Sequence, residues 1–357
     1  MKKFMKRLLV IMITLVSVFA FYGCTTGGTG GTGGTGGTGG TGGGENLPVS
    51  TVLRDLEIIV PSLLGTGEAV IVKLPDGKNM LIDTGSNTST SKYEIKNELN
   101  NQHITTIDYL VLTSTNITRI GGGKIIFENY NISKFYRPNI VCSHANAPTD
   151  ENLNSGATGG YVETNINYAN MLAAAKTEGC AVEIINKDSD ISYRFTYNGV
   201  PYEYKIDFLT PTTSKTATCF GNASDYSAMI SIEYKGKKVL IASDATATTE
   251  ATFNATYPTL DIDLLVVARH GDAASTSEAF LNITKPEYGI ITVGGGVINT
   301  GNWPNQAALD RLQSKNVTLY RTDMNSTIVS KVTSTGVFSV TPKVDRTDGI
   351  FVGRDAQ

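Results

Sequence analysis

His103, His144 and His270 are the only imidazoles in this 357-residue chain, so a metal centre built on nitrogen ligands starts short of donors. The four cysteines, Cys24, Cys142, Cys180 and Cys219, show no C-x-x-C spacing that would supply thiolates instead. His103 precedes a strand and His144 lies in an irregular polar stretch, so both read as surface residues. Ser275, Thr276 and Ser277 read as a helix start rather than a nucleophile beside a base, with Ser275 or Thr276 as N-cap and Glu278 in the first turn. The glycine triplets at 121–123 and 294–296 lack the Lys-Ser/Thr partner of a phosphate loop and read as turns where backbones approach closely. One further segment, Asp108 to Gly123, DYLVLTSTNITRIGGG, runs from an apolar strand into a polar turn and a glycine cluster. Its polar positions hold Ser114, Asn116 and Thr118, which are poor neutral ligands, and Arg119, which is permanently charged.

Strands and helices must interleave to present that turn. Leu56 to Val60, Ala69 to Lys73 and Met80 to Ile82 read as strands, with Pro75-Asp76-Gly77 a hairpin signal. A helix follows at Ser91 to Asn101 and a buried strand at Asp108 to Thr113. Tyr161 to Glu178 is predicted as a helix ending before Gly179. Strands are then expected at Ala181 to Ile185, Ser192 to Tyr197 and Pro201 to Leu209, followed by a hairpin around Lys235-Gly236. Leu264 to Ala268 and Tyr288 to Val293 read as strands, Thr276 to Ile283 and Pro304 to Ser314 as helices, and two strands close the chain. This alternation implies an α/β architecture with helices layered on sheet.

Five ordered blocks narrow that class. LGTGEAVIVKLPDGKNMLIDTGSN (Leu64 to Asn87) resembles the opening of the competence-type branch of the metallo-β-lactamase superfamily, where a Gly-Gln-Gly-Asp-Ala run precedes a strand and an Asp-Gly turn. The Asp108 to Gly123 segment is similar to its Thr-His-x-His-x-Asp-His loop followed by Ile-Gly-Gly. YSAMISIEYKGKKVLIASDA (Tyr226 to Ala245) resembles its long hairpin ending in Gly-Asp, and DLLVVARHGDAASTSEAFL (Asp263 to Leu281) its Lys-Val-x-His-His-Gly-Ser segment. YGIITVGGG (Tyr288 to Gly296), NWP (Asn302 to Pro304) and LYRTDMNSTI (Leu319 to Ile328) follow its closing block. The resemblance implies the αβ/βα four-layer sandwich for residues 51–343, with 344–357 a tail that carries no motif.

It also locates a site and predicts that its metals are gone. Ser114, Asn116, Thr118 and Arg119 stand at the four ligand positions of the first loop. A dinuclear zinc centre of this kind needs roughly five imidazoles with carboxylates, and Asp244 and His270 are what remains of the set. Asp83 is retained in the role of holding the loop, and Trp303 replaces the Gly-His-Pro histidine. The expectation is therefore no zinc cofactor. Arg119 and Arg269 put permanent positive charge where the family places zinc, within pairing reach of Asp244. The result is either an internal salt bridge or a cleft for a small anion bounded by Ser114, Asn116, Thr118, Arg119, Asp244, Arg269 and His270, with Asp272 adding opposing charge. The expected function is non-catalytic binding of a small anionic ligand or a protein partner. The alternative is a metal-dependent hydrolase, phosphodiesterase- or nuclease-like, with Asp244 and His270 as catalytic groups.

The amino terminus indicates where the domain works. Lys2, Lys3, Lys6 and Arg7 precede an apolar run from Leu8 to Phe21 that is shorter than the ~20 residues of a membrane span. Gly23-Cys24 follows, the small residue and cysteine that lipoprotein processing requires, with Phe21 where Leu is usual. Residues 1–24 thus read as a lipoprotein signal peptide with Cys24 as the lipidated residue, ahead of ordinary cleavage or an uncleaved anchor. Thr-Gly-Gly repeats make 25–50 a disordered linker of roughly 25 Å r.m.s. span. The expected location is the bacterial cell membrane, lipid-anchored on the extracytoplasmic side. Without the leader's four cations the chain carries 26 basic and 33 acidic residues, net −7, and no basic run, which argues against a nucleic-acid partner. Cys24→Ala should release the protein to the medium or leave the precursor unprocessed, as fractionation and immunoblotting would show. Unchanged retention with normal processing would count against acylation.

Overall fold

The structure is a computed structural model that describes residues 47–142, 144–150, 153, 161–163, 166–186, 189–212, 223–294 and 301–356. Residues 47–357 form one compact unit. The leader, Cys24, the repeats to residue 46, Cys219, Gly295 and Gly296 lie outside the described residues.

The strands in chain order are β1 Leu56–Val60, β2 Val70–Lys73, β3 Asn79–Ile82, β4 Thr106–Val111, β5 Asn131–Arg137, β6 Ile140–Cys142, β7 Tyr161–Glu163, β8 Ala181–Ile184 and β9 Ile191–Tyr197. They continue as β10 Val200–Phe208, β11 Ile230–Tyr234, β12 Lys237–Ile241, β13 Leu264–Val266, β14 Tyr288–Ile291, β15 Thr318–Arg321, β16 Ile328–Val332 and β17 Phe338–Pro342. The helices are α1 Ser89–Asn101, α2 Ile117–Ile120, α3 Gly123–Asn129, α4 Ile166–Glu178, α5 Ala247–Thr256, α6 Glu278–Thr284, α7 Gln306–Ser314 and α8 Thr322–Asn325. One sheet has the order β17-β16-β1-β2-β3-β4-β5-β8, the other β15-β14-β13-β12-β11-β10-β9, with β6-β7 a small separate pair.

Side-chain alternation along the strands assigns the layers. Met80 and Ile82 point into a core shared with Ile230, Ile232, Val239, Ile241 and Val266 of the other sheet. Leu81 between them faces a second core with Ile95 and Leu99 of α1 and Met171 and Leu172 of α4. In the other sheet Leu240 and Leu265 face outward onto Phe253, Phe280, Leu309 and Leu312 of α5, α6 and α7. Because successive residues of a strand point to opposite faces, two sheets back to back bury three apolar layers. The order is helix, sheet, sheet, helix: the expected αβ/βα sandwich.

Both sheets switch from antiparallel to parallel pairing. β3, β4, β5 and β8 run parallel in one, and β12, β13, β14 and β15 in the other. Loops leaving the carboxyl ends of parallel strands converge at one rim, the usual place for a site in open α/β sheets. Asp83 follows β3, Thr113 and Ser114 follow β4, Asp244 follows β12, His270 follows β13 and Thr292 follows β14.

Several expectations are corrected. Helix α4 begins at Ile166, because Tyr161–Glu163 is the strand pairing with β6. The run Leu264 to Ala268 is strand only to Val266, after which Ala268–His270 forms a short turn of 3-10 helix. The N-cap of α6 is Ser277, whose hydroxyl accepts from the Phe280 amide, while Ser275 donates to the buried Ala245 carbonyl. Gly121 and Gly122 are turn residues between α2 and α3, as expected, whereas Gly123 opens α3. Close approach does account for them: a Cβ on Gly121 would lie 2.0 Å from the Asn87 amide nitrogen, and one on Gly122 2.2 Å from the Thr84 carbonyl oxygen. Strand β5 and helices α3 and α5 were not anticipated. The terminal segment packs on the domain, with Ile350 buried and Arg354 paired to Asp323 at 2.8 Å.

Candidate functional site

The loop after β4 is stitched to its neighbours by backbone hydrogen bonds. The Arg119 carbonyl accepts from the Thr84 amide at 2.6 Å and the Thr84 hydroxyl at 2.8 Å, and the Arg119 amide donates to Asn116 at 2.9 Å. Thr118 O accepts from the Glu68 amide at 3.0 Å, and Glu68 O from the Gly85 amide at 2.9 Å. These bonds are possible because Gly121 and Gly122 let the segment lie directly on residues 84–87. Asn116 caps α2 by accepting from the Thr118 amide. The Arg119 side chain is thereby turned inward and fully buried.

Three carboxylates surround its guanidinium. Nη1 lies 2.6 Å from Glu68 Oε1 and 3.1 Å from Asp83 Oδ2, and Nε lies 2.8 Å from Asp244 Oδ1. All four side chains are at most 2% exposed. Asp244 Oδ2 accepts from the Ser114 hydroxyl at 2.6 Å. Asp83 accepts from the Thr113 amide and hydroxyl at 2.8 and 2.6 Å. That hydroxyl accepts in turn from Ser243, which accepts from Ser227 at 3.1 Å, while Ser227 accepts from the Asp244 amide at 3.0 Å. The hydroxyl chain thus links the two aspartates across the two sheets. The charge is nonetheless incompletely hydrogen-bonded: Glu68 Oε1 and Arg119 Nε and Nη2 are buried with no aligned hydrogen-bond partner among the described residues.

Burial penalises these charges, and Arg119 offsets the penalty unequally. Burial pushes Asp83 up to about 7 despite the guanidinium and the Thr113 bonds, and the charge of Glu68 adds to the rise. Asp244 is also desolvated, yet Arg119 and the Ser114 hydroxyl hold it below the usual carboxylate range. The Arg119 guanidinium stays charged because attraction from Asp244, Glu68 and Asp83 outweighs its own desolvation.

His270 lies beside this cluster with its Nδ1 3.7 Å from Glu68 Oε2. Nδ1 is 2.7 Å from the Thr292 carbonyl, which can only accept, so Nδ1 carries the proton. The Thr292 hydroxyl donates to Glu68 Oε2 at 2.7 Å. Burial holds the imidazole below the usual histidine range, so it is neutral near pH 7. Trp303 covers the ring at a centroid distance of 5.2 Å and donates to Asp272 Oδ2 at 3.0 Å. Asp272 also accepts from the Ala274 amide, so its charge is directed at this corner rather than at Arg119.

The candidate residues therefore divide. Ser114, Arg119 and Asp244 come together, with His270 at their edge. Asn116 is exposed and acts as a cap, and the Thr118 hydroxyl has no hydrogen-bond partner among the described residues. Arg269 is half-buried at φ 50, and none of its ion pairs is found among the described residues. Of the two arginines only Arg119 reaches Asp244. Asp83, Ser243, Arg269 and His270 all have positive φ, a strained conformation for such residues, concentrated on these loops. Glu68 was missed as a site residue, although it stands where the resembling Gly-Asp-Ala run carries its acid.

The donor set does not fit a dinuclear zinc centre. The first loop contributes a hydroxyl and a guanidinium where imidazoles would be needed, and the guanidinium nitrogens occupy the space onto which the carboxylate oxygens converge. Among the described residues no three His, Cys, Asp or Glu side chains are arranged to hold a metal ion.

The model of the metallo-beta-lactamase superfamily matches residues 64–295. The chain belongs to that superfamily. Within it the competence-type branch is indicated by ComE operon protein 3 of Bacillus subtilis (strain 168), 24% identical over 80% of this chain and 34% of the relative. Competence protein ComA of Neisseria gonorrhoeae is 27% identical over 38% of this chain and 18% of the relative. The chain thus spans about a third of the first relative's length. Solved structures similar to it include a CmlA beta-hydroxylase variant, with a TM-score of 0.45, 12% identity and coverage of 77% of this chain and 53% of that one. The metallo-beta-lactamase fold protein YhfI from Bacillus subtilis gives 0.42, 10% identity and coverage of 80% and 99%.

A carboxyl whose folded pKa of about 7 exceeds its unfolded value near ~3.9 adds stability below the unfolded value and loses it as pH rises toward 7. Asp244 acts oppositely, but its contribution is lost only as pH falls below ~4. His270, held neutral by burial, acts in the opposite sense over the same range, so Asp83 is isolated by comparison: urea denaturation at pH 5, 6 and 7 should show wild type losing stability relative to Asp83→Asn as pH rises. Parallel slopes in the two proteins would refute the assignment to Asp83.

Proposed function

We propose that this is a metal-free, non-catalytic member of the competence-type branch, held outside the cytoplasmic membrane by lipid on Cys24, and that it acts by binding. The observation that supports this best is the Arg119 guanidinium seated among Glu68, Asp83 and Asp244. Hydrolysis in this fold depends on a cation that polarises the substrate and activates water. Here the positive charge is covalently fixed and saturated by carboxylates, so it can neither open a coordination position nor lower the pKa of a bound water. Arg119 is also unsuited to hold an external anion, since three acidic groups already surround it. If a small anionic ligand is bound, half-buried Arg269 is the cation left for it. A protein partner is the other occupant consistent with a tethered domain, and the acidic balance disfavours nucleic acid.

One observation favours the hydrolase alternative around Asp244 and His270. With its proton on Nδ1, neutral His270 has a bare Nε2 for which no partner is found among the described residues. Against it, both oxygens of Asp244 are engaged by Ser114 and Arg119. Metal analysis of full-length protein purified without chelator, combined with an assay on bis(p-nitrophenyl) phosphate with and without added Mn²⁺ or Zn²⁺, decides between the two. We expect trace metal and no metal-stimulated turnover. Near-stoichiometric metal or turnover lost on His270→Ala would overturn the non-catalytic reading.

A further inference from the structure

The last residues of the chain, which carry no motif, lie against the rim loops of the other sheet. The Gly353 amide donates to Gln306 Oε1 at 2.8 Å, Gln306 Nε2 donates to the Phe351 carbonyl at 2.9 Å, and the Gln306 amide donates to Asp355 Oδ1 at 2.8 Å. The Arg354 amide donates to the Pro304 carbonyl at 3.0 Å. Its guanidinium reaches the Gly294 carbonyl after β14 at 2.9 Å and Asp323 Oδ2 on α8 at 2.8 Å. Arg321 fixes the start of the segment, with Nη1 donating to the Ile350 and Val352 carbonyls at 3.2 and 2.8 Å. Ile350 and Phe351 join the apolar layer against which Trp303 also packs. The fit leaves no slack: a Cβ on Gly353 would lie 2.5 Å from the Gln306 amide nitrogen.

What this segment grips is the loop that closes the His270 corner. The Asn305 amide donates to the Gly271 carbonyl at 2.9 Å, and the Ala273 amide donates to Asn305 Oδ1 at 2.9 Å. Residues 304–306 are thus bonded both to residues 271–273, just past His270, and to residues 351–355. Trp303 is half-buried and stands against His270, which is only 3% exposed, so the indole lies between the imidazole and solvent. We propose that residues 350–356 are a strap that locks Trp303 over His270, an autoinhibitory contact that admits a ligand to this corner only when the strap is released. A segment held by a few hydrogen bonds near the surface opens locally at a lower free energy than the domain unfolds, so release leaves the sandwich intact. The inference does not depend on what the corner binds or on whether it supports turnover.

The test compares wild type, Gly353→Val, Arg354→Ala and a chain ending at Gly349 with two probes. Trp303 is the sole tryptophan, so acrylamide quenching of fluorescence reports its cover alone. Modification by diethyl pyrocarbonate, mapped by mass spectrometry, reports access to His270, with His103 and His144 as references in the same molecule. In wild type His270 should react far more slowly than His103. Arg354→Ala and Gly353→Val should each speed reaction at His270 by roughly tenfold, because charge-assisted hydrogen bonds of the strap are lost or displaced. Both should also raise the quenching constant while leaving His103 and His144 at their wild-type rates, and the shortened chain should show the largest change. If the shortened chain unfolds, the two point variants decide. Wild-type protection of His270 in both point variants would overturn the inference, whatever the quenching shows. So would wild-type His270 reacting as fast as His103. Faster reaction at all three histidines in the point variants would overturn it too, since the segment would then be supporting the whole fold rather than closing one corner.

Discussion

One guanidinium shared by three buried carboxylates is the constraint on which this site depends. Glu68 comes from the loop before β2, Asp83 from the end of β3 and Asp244 from the end of β12 in the other sheet, so Arg119 ties three loops and both sheets at one point. Buried carboxylates without a counter-charge would cost several kcal/mol each, or would take up protons. Asp83 is raised toward that outcome and Asp244 is not, which follows from a single positive charge serving three negative ones. A zinc centre would perform the same electrostatic task with two exchangeable divalent ions, and here it falls to a side chain that cannot leave.

That exchange separates architecture from chemistry. The sandwich layers, the parallel strands whose ends form the rim and the glycines that let the Arg119 loop lie on residues 84–87 are features that position a site. None of them is a ligand. Substitution of Ser114 and Arg119 leaves the frame intact, because the hydroxyl donates to Asp244 and the guanidinium supplies the missing charge. Trp303 fills space over the His270 ring, where an aromatic face needs no metal to be satisfied. Fold alone does not imply function, and the proposal of binding rather than turnover rests on the residues at this rim.

Much of this was legible in the residues, for identifiable reasons. An arginine at a ligand position near a retained aspartate predicts a salt bridge, and Arg119 forms it with Asp244 at 2.8 Å. The same logic applied to Arg269 did not hold: the pairing with Asp244 is made by Arg119, and no ion pair of Arg269 is found among the described residues. Glu68 was hidden because 51 positions separate it from Arg119 in the chain, and only the acid of the Gly-Asp-Ala run hinted at it. Helix α5, ATTEATFNAT, has threonines where apolar periodicity would be sought, and it is fixed by the Thr246 cap and by Phe253 in the core. The false start of α4 at Tyr161 arose because a three-residue strand is too short to show its period of two.

The most direct test of the account is a double-mutant cycle between Arg119 and Asp244, with the stabilities of wild type, Arg119→Ala, Asp244→Ala and the pair measured by urea denaturation at pH 7. A buried pair broken from one side costs about 3–5 kcal/mol, and the second mutation should then add far less than it does alone. The account predicts a coupling energy of about 2 kcal/mol or more. Additivity to within ~0.5 kcal/mol would mean that the two groups do not depend on each other, and would contradict the central claim that Arg119 stands in for the metal.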